Sequence, residues 1–404
     1  LIDLRSSFGH KFLLGLLGLL SAFPALSTDL YLPAFKQISG SLGVTDSQLQ
    51  LTLAISFFGL ALGSLFWGTI SDRFGRKVPT VVGIGIFVIA SVACALAPSF
   101  AVLLIARLFQ SLGGSAAFIA GRAIIRDLYS GQEMARVMAA VMSIFLIAPI
   151  LGPSLGAAIL SVADWRWIFY TLAIIGGVAI ACMLLLPETL ELQNRSSLGG
   201  IATLQNYTKI LRDREYVFAI LQTAASSFMT FSYVASAPSV YMGHFGISET
   251  WFAVIFGANA VGLLAMTQIN RRLLKNIKVV RVLGGMVIFQ ASSGLLLFAL
   301  GNLTESLFAV IPLVMLTLSA SPSIGGNSTT LALHNFKVNA AQASALIGVI
   351  QSLSATFVMS LLAAVPLEPL LKMLTFMASV AVLALTVLVI RSRELKARPV
   401  DLES

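Results

Sequence analysis

The sequence predicts an all-α integral membrane protein whose twelve spanning helices fall into two six-helix bundles. Composition is the first observation behind that prediction. Of 404 residues, 57% are hydrophobic and 11% charged, whereas a soluble domain carries about 25% charged residues. The second is run length. Apolar stretches such as 78–97 and 373–390 continue unbroken for about 20 residues, enough for a helix to cross a bilayer, while a barrel strand shows roughly ten alternating residues. The third is charge placement: 26 Lys and Arg give a net charge of +9, and those cations are sorted between alternate loops. That sorting accounts for the basic balance without a nucleic-acid partner.

Apolar runs bounded by charge, Pro and Gly place the elements in order. The first span covers 12–33, opening after Lys11 and closing at Pro33. The second, 49–70, stops before Asp72, and the third, 78–97, runs from Lys77 to Pro98. The fourth, 100–122, ends at Arg122; the fifth, 136–160, follows Arg136; the sixth, 166–186, ends before Pro187. A polar stretch from Glu188 to Arg214 follows, holding Arg195, Ser196, Ser197, Gly199, Gly200, Lys209 and Arg212. Six further runs occupy 216–237, 250–269, 280–300, 306–333, 342–364 and 369–390. The expected organisation is an N-terminal bundle at 1–187, a cytoplasmic linker at 188–214 and a C-terminal bundle at 215–404.

With twelve spans and an N-terminus read as starting in the cytoplasm, the loops after even-numbered spans should be basic. Twenty-two of the 26 Lys and Arg fall there or on the two ends, among them Arg5, Lys11, Lys337 and Arg398. Lys36, Arg166 and Lys372 lie on the other side, and Arg107 stands alone within a span. The halves repeat in outline, with basic loops starting near residues 71 and 270. Parallel repeats of this kind build transporters with a site near the midplane and rocking halves.

Ionisable groups inside spans need a reason, since a charge at helix centre costs about 3 kcal/mol on insertion scales. Asp29 stands four residues before Pro33, and Arg107 seven after Phe100, so both lie roughly 6 to 10 Å below the outer surface at 1.5 Å per residue. An acid and a base at one depth suit a carboxylate for which proton and substrate compete. The competing reading has Asp29 ending its helix and Arg107 tying the fourth span to backbone carbonyls. Cys94 and Cys182 sit inside apolar runs as packed thiols, and His244 and His334 form no metal set. No metal or cofactor is expected. A membrane enzyme is disfavoured by the lack of a His or acid cluster near Asp29, and an ATP-driven pump by the lack of any G-x-x-x-x-G-K-[ST].

The stretch Gly68-Thr69-Ile70-Ser71-Asp72-Arg73-Phe74-Gly75-Arg76-Lys77 joins two antiparallel helices through a glycine-permitted turn. It resembles the signature loop of the major facilitator superfamily, G-x-x-x-D-R-x-G-R-K. Leu103, Arg107, Gln110, Gly113 and Gly114 resemble the family's fourth-helix motif, with Ser111 where that motif has Gly. Gly152, Pro153 and Gly156 resemble its antiporter motif in the fifth helix, with Ala148 and Ala157 replacing two glycines. Within the superfamily, Thr28 to Pro33, Arg122 to Tyr129, Pro187 to Leu190 and Ala343 to Gln351 look like the Bcr/CflA group of bacterial drug:proton antiporters.

That resemblance implies a major facilitator fold and proton-coupled export of small amphipathic drugs across the bacterial inner membrane. Both termini would be cytoplasmic and the protein a monomer in the lipid bilayer, with protons and a small-molecule substrate as partners. The alternative keeps the fold and changes the cargo to a metabolite such as an amino acid, nucleobase or siderophore. Asp29 and Arg107 carry over as the proton-coupling pair. Ser21 stands where some relatives have a second acid, which favours neutral or zwitterionic cargo. Gly68, Asp72, Arg73, Gly75, Arg76, Lys77, Asp127, Gly152, Pro153 and Gly156 are expected to gate the conformational change. Asp72 would face the start of the eleventh span near Ala340 to Gln342 and latch the outward-open state, while Arg73 and Arg76 pair with Asp127 or Glu133. Candidate wall residues are Tyr31, Gln110, Phe228, Phe231, Tyr233, Asn259 and Gln351. Gly59 and Gly63 mark a close helix crossing.

Overall fold

A computed structural model of the chain describes residues 7–195, 210–334, 336 and 340–397. Arg5, Ser196, Ser197, Gly199, Gly200, Lys209, Lys337 and Arg398 lie outside the described residues, as do the side chains of Ala340 to Gln342. Among the described residues there are fourteen α-helices and no strand. They are α1 Ser7–Asp29, α2 Phe35–Leu42, α3 Asp46–Phe74, α4 Lys77–Ala95, α5 Phe100–Leu128, α6 Gly131–Leu160 and α7 Arg166–Leu185. The remainder are α8 Arg214–Pro238, α9 Glu249–Leu273, α10 Val279–Thr304, α11 Leu307–Ser319, α12 Ser321–His334, α13 Ala340–Ala364 and α14 Pro369–Ala397. Eleven helical stretches are long and apolar enough to cross a membrane, and α6 adds the shorter apolar segment Ile150–Leu160.

Several helix ends differ from the hydropathy reading. The second span begins at Asp46, earlier than expected, because Thr45 caps it: its hydroxyl accepts from the Gln48 amide at 3.3 Å while Gln48 Oε1 accepts from the Thr45 amide at 2.9 Å. Such a reciprocal cap fixes a helix start that hydropathy cannot see. The first span is not one rod to Pro33. It leaves α geometry after Asp29, passes a 3-10 turn at Leu32–Ala34 and resumes as α2, because proline restricts the residue before it and lacks an N–H. Asp29 is therefore the last residue of α1 and not a residue one turn inside it. The tenth span, expected as a single helix over 306–333, is two: α11 and α12 meet at Ala320, just before Pro322. After Pro238, α8 widens into a π-helical turn, Ser239–His244.

Two compact units emerge. The first comprises Leu1–Leu198 with Tyr241–Ala260 and Met359–Ala364. Within it α5 packs on α1, α3 and α4, α4 also on α7, and α1 also on α6. Small residues make these approaches possible. A side chain at Gly59 would meet the Leu108 carbonyl of α5 at 2.6 Å, one at Gly63 would overlap Ser115, and one at Gly113 would meet the Gly83 carbonyl of α4 at 2.5 Å. In the second unit α8 packs on α12 and α14, and α10 on α11, α12 and α14. Buried amides join these helices: Gln222 Nε2 donates to the Ala384 carbonyl at 2.9 Å, Gln290 Nε2 to Ser321 Oγ at 2.8 Å, and Asn327 Nδ2 to Asn270 Oδ1 at 2.9 Å.

Candidate functional site

The first unit holds a buried acid and a buried guanidinium near the end of α1. Asp29 is 6% exposed and Arg107, two turns into α5, is wholly buried. Arg107 Nη1 donates to the Ser27 carbonyl at 3.1 Å and to Gln110 Oε1 at 2.6 Å. Gln110 in turn donates to Ser91 Oγ at 2.7 Å, so α5, α4 and α1 together fix the guanidinium. Its central carbon lies 4.8 Å from the Tyr31 ring centroid and 6.0 Å from that of Phe169, a buried cation–π arrangement. Tyr31 is held at its other end by a 2.9 Å bond between its hydroxyl and Thr52 Oγ1. Two donors of Arg107, Nε and Nη2, are buried without an acceptor.

Asp29 does not fill them. No ion pair joins the two residues among the described residues; the link runs through the backbone of Ser27, two residues before the acid. Asp29 ends its helix, where the dipole is negative and does not favour a carboxylate. Its backbone lies against α6, since a side chain added at Gly152 would meet Asp29 Cβ at 2.5 Å and one at Gly156 would overlap the Leu30 carbonyl. Pro153, between those glycines, is buried. A cleft beside the pair is lined by Phe23, Pro24, Ser27, Thr28, Ser56, Phe57, Leu60, Phe87, Ser111 and Gly114. It has room for about one water molecule, so a drug-sized guest needs the helices to move.

At the opposite ends of α3, α4, α5 and α7 lies a second cluster. Gly75 joins α3 to α4 at φ +94°, a backbone region open to glycine and closed to most side chains. Arg76 Nη1 donates to Asp72 Oδ1 at 2.6 Å and its Nε to Asp127 Oδ2 at 2.8 Å. Thr189 Oγ1 donates to the same Asp127 oxygen at 3.1 Å. Lys77 folds back to donate through Nζ to the Leu184 and Leu186 carbonyls at 2.7 and 2.9 Å, closing the end of α7. Arg73 is exposed and stacks on Phe74 at 5.4 Å. A side chain at Gly68 would meet nothing within 4 Å.

Sequence reasoning missed the residue that ties this cluster together. Glu188 accepts the amides of Arg76 at 2.7 Å, Lys77 at 3.1 Å, Thr189 at 3.0 Å and Leu190 at 3.1 Å, placing a carboxylate on the positive start of α4. Partial burial pushes its carboxyl up, but the four backbone bonds outweigh this and hold it below the ordinary 4.5. Its signal was present as an acid directly after the sixth span, facing a basic turn. Of the wall candidates, Tyr31 and Gln110 surround Arg107, and Asn259 is buried beside Tyr241. Phe228, Phe231, Tyr233 and Gln351 belong to the second unit, where Phe228 lies 6.0 Å from Phe357 and Tyr233 is buried.

A family model described as Major Facilitator Superfamily matches residues 17–359. The chain belongs to the Major Facilitator Superfamily. The superfamily transporter YdgK of Bacillus subtilis is 31% identical over 381 residues, covering 92% of this chain and 94% of that one. A bicyclomycin resistance protein homolog from Haemophilus influenzae is 28% identical over 95% of this chain and 96% of its own. The multidrug resistance protein MdtL of Escherichia coli O157:H7 is 28% identical over 84% and 85%. Among solved structures, an inward-facing bacterial homologue of the lysosomal transporter Spinster superposes with a TM-score of 0.73 at 16% identity, over 98% of this chain and all of that one. The D-xylose-proton symporter gives 0.72 at 16% identity, over 95% and 97%. These structures show the superfamily fold, and the chain is a multi-pass membrane transporter.

Proposed function

We propose that this transporter exports small amphipathic compounds in exchange for protons across the bacterial inner membrane, with Asp29 and Arg107 coupling the two fluxes. The observation that carries the proposal is the fully buried Arg107 with two unfilled donors, tied to the α1 backbone at Ser27, two residues before the buried acid Asp29. Leaving such donors empty costs about 1 to 3 kcal/mol each, so a state that supplies an oxygen is favoured. Either an ionised Asp29 or an acceptor on the substrate provides one. When the substrate takes the donors, the proton returns to Asp29; when the substrate leaves, the proton is released. Tyr31 and Gln110 hold the guanidinium, while Phe228, Phe231, Tyr233, Asn259 and Gln351 line the substrate's path.

The bundles 1–187 and 215–404 rock about the linker 188–214 to alternate access, as parallel-repeat transporters do. Gly68, Asp72, Arg73, Gly75, Arg76, Lys77 and Asp127 form the cytoplasmic latch, and Gly152, Pro153 and Gly156 let α6 slide against α1. The protein works as a monomer with both termini in the cytoplasm. One proton moving through 100 mV supplies about 2.3 kcal/mol, enough for a roughly 50-fold gradient of a neutral cargo. Relatives named for bicyclomycin and multidrug resistance support drugs as cargo.

The test uses energised everted vesicles, a pH-sensitive dye and a panel of antibiotics and metabolites. Drug-dependent loss of the proton gradient in vesicles carrying the protein is the expected result. Loss with a metabolite alone moves the cargo to the endogenous class. No loss with any compound, beside measurable uptake, overturns proton exchange.

A further inference from the structure

The two basic loops that repeat across the halves are built on opposite charge logic. Helix α3 ends at Phe74 and α9 at Leu273, 199 residues later. At that offset Arg271 takes the place of Asp72, Arg272 that of Arg73, and Lys275 that of Arg76. In the first loop, Asp72, Asp127 and Glu188 neutralise or cap the turn. In the second, Arg271, Arg272, Lys275, Lys278 and Arg281 are all exposed, and among the described residues none has an acidic partner. Among the described residues Arg271 donates to Gln268 Oε1, at 3.4 Å. No Asp or Glu occurs anywhere from Thr250 to Thr304. Apolar side chains are interleaved with these cations: Ile269, Ile277 and Val280 are 46%, 40% and 40% exposed.

We propose that this loop is a docking surface for anionic phospholipid headgroups of the cytoplasmic leaflet, seated on Arg271, Lys275 and Lys278. Five cations at the ends of two spans stand at headgroup level, and the apolar residues between them enter the acyl boundary. Anionic lipid supplies the missing countercharge, as it does for basic clusters next to membrane helices. The side of the membrane rests on the topology proposed above; attraction to the headgroup does not.

Titration of the purified full-length protein in detergent, with phosphatidylglycerol or phosphatidylcholine and native mass spectrometry as the readout, separates the two, because a micelle has no sides. Wild type should hold phosphatidylglycerol in preference to phosphatidylcholine. Each lost cation is worth about a fivefold change in binding, so the Arg271→Gln/Lys275→Gln double variant should bind phosphatidylglycerol roughly thirty-fold more weakly. Arg126→Gln/Arg136→Gln, with the same charge loss elsewhere, should keep the wild-type affinity. Should the double variant melt early, Arg271→Asp, which restores the first loop's acid, must weaken binding in its place. Equal binding by wild type and these variants overturns the proposal. So does displacement of the lipid by matched inorganic phosphate, which would make the loop a site for a free anion.

Discussion

Arg107 shows how a single buried side chain sets up a chemical problem that function can solve. Its guanidinium is satisfied on one side by Ser27 and Gln110 and open on the other. Because its planar fork and ring stacking have no equivalent in an ammonium, Arg107→Lys should fold yet shift the pH profile of transport, measured as rate against pH in vesicles. An unchanged profile would make the arginine structural. Glu188 makes a separate prediction. A carboxyl held below its ordinary value in the folded state contributes stability that is present above 4.5 and lost as pH falls through the lower folded value. Thermal melts of wild type should therefore weaken on acidification below about pH 4.5, and Glu188→Gln should melt lower at neutral pH with a flatter acid dependence.

At the scale of helices, close approach and end-to-end ties decide what can move. Gly75 combines a left-handed backbone with a neighbour, Glu188 Oε2, 2.5 Å from where a side chain would begin. Gly75→Ala should cost about 1 to 3 kcal/mol, visible as a lowered melting temperature. In the second unit, Arg391 of α14 donates to Glu215 of α8 at 2.6 Å and stacks on Phe218 at 4.2 Å. Arg391→Ala should loosen the C-terminal end of α14, losing on the order of 1 kcal/mol and raising amide exchange there first. Hydropathy placed every span but not its ends. It reports where the bilayer lies, whereas Thr45 with Gln48 starts α3, Pro33 breaks the first span and Pro322 divides the tenth. Those are local hydrogen-bonding events with little weight in an apolar average.

For the whole molecule, cation sorting and twelve apolar runs made the fold legible, and the loop from Gly68 to Lys77 made the family legible. Asp29 and Arg107 stood out because charge inside a span is expensive. The residues that support that site did not: Thr52, Ser91 and Phe169 are ordinary residues on three other helices, joined to it by hydrogen bonds through Tyr31 and Gln110 and by ring stacking on Arg107. Glu188 was visible as an acid but not as a cap, since its four donors come from two separate segments. The proposed coupling rests on exchange of substrate and proton at Asp29. It is tested most directly by mixing weakly buffered purified protein with the compound that best drains the vesicle gradient, and counting protons with a pH dye. Wild type should exchange about one proton per bound substrate if Asp29 is the coupling carboxylate, while Asp29→Asn should bind without any. Equal proton exchange by wild type and Asp29→Asn would contradict it.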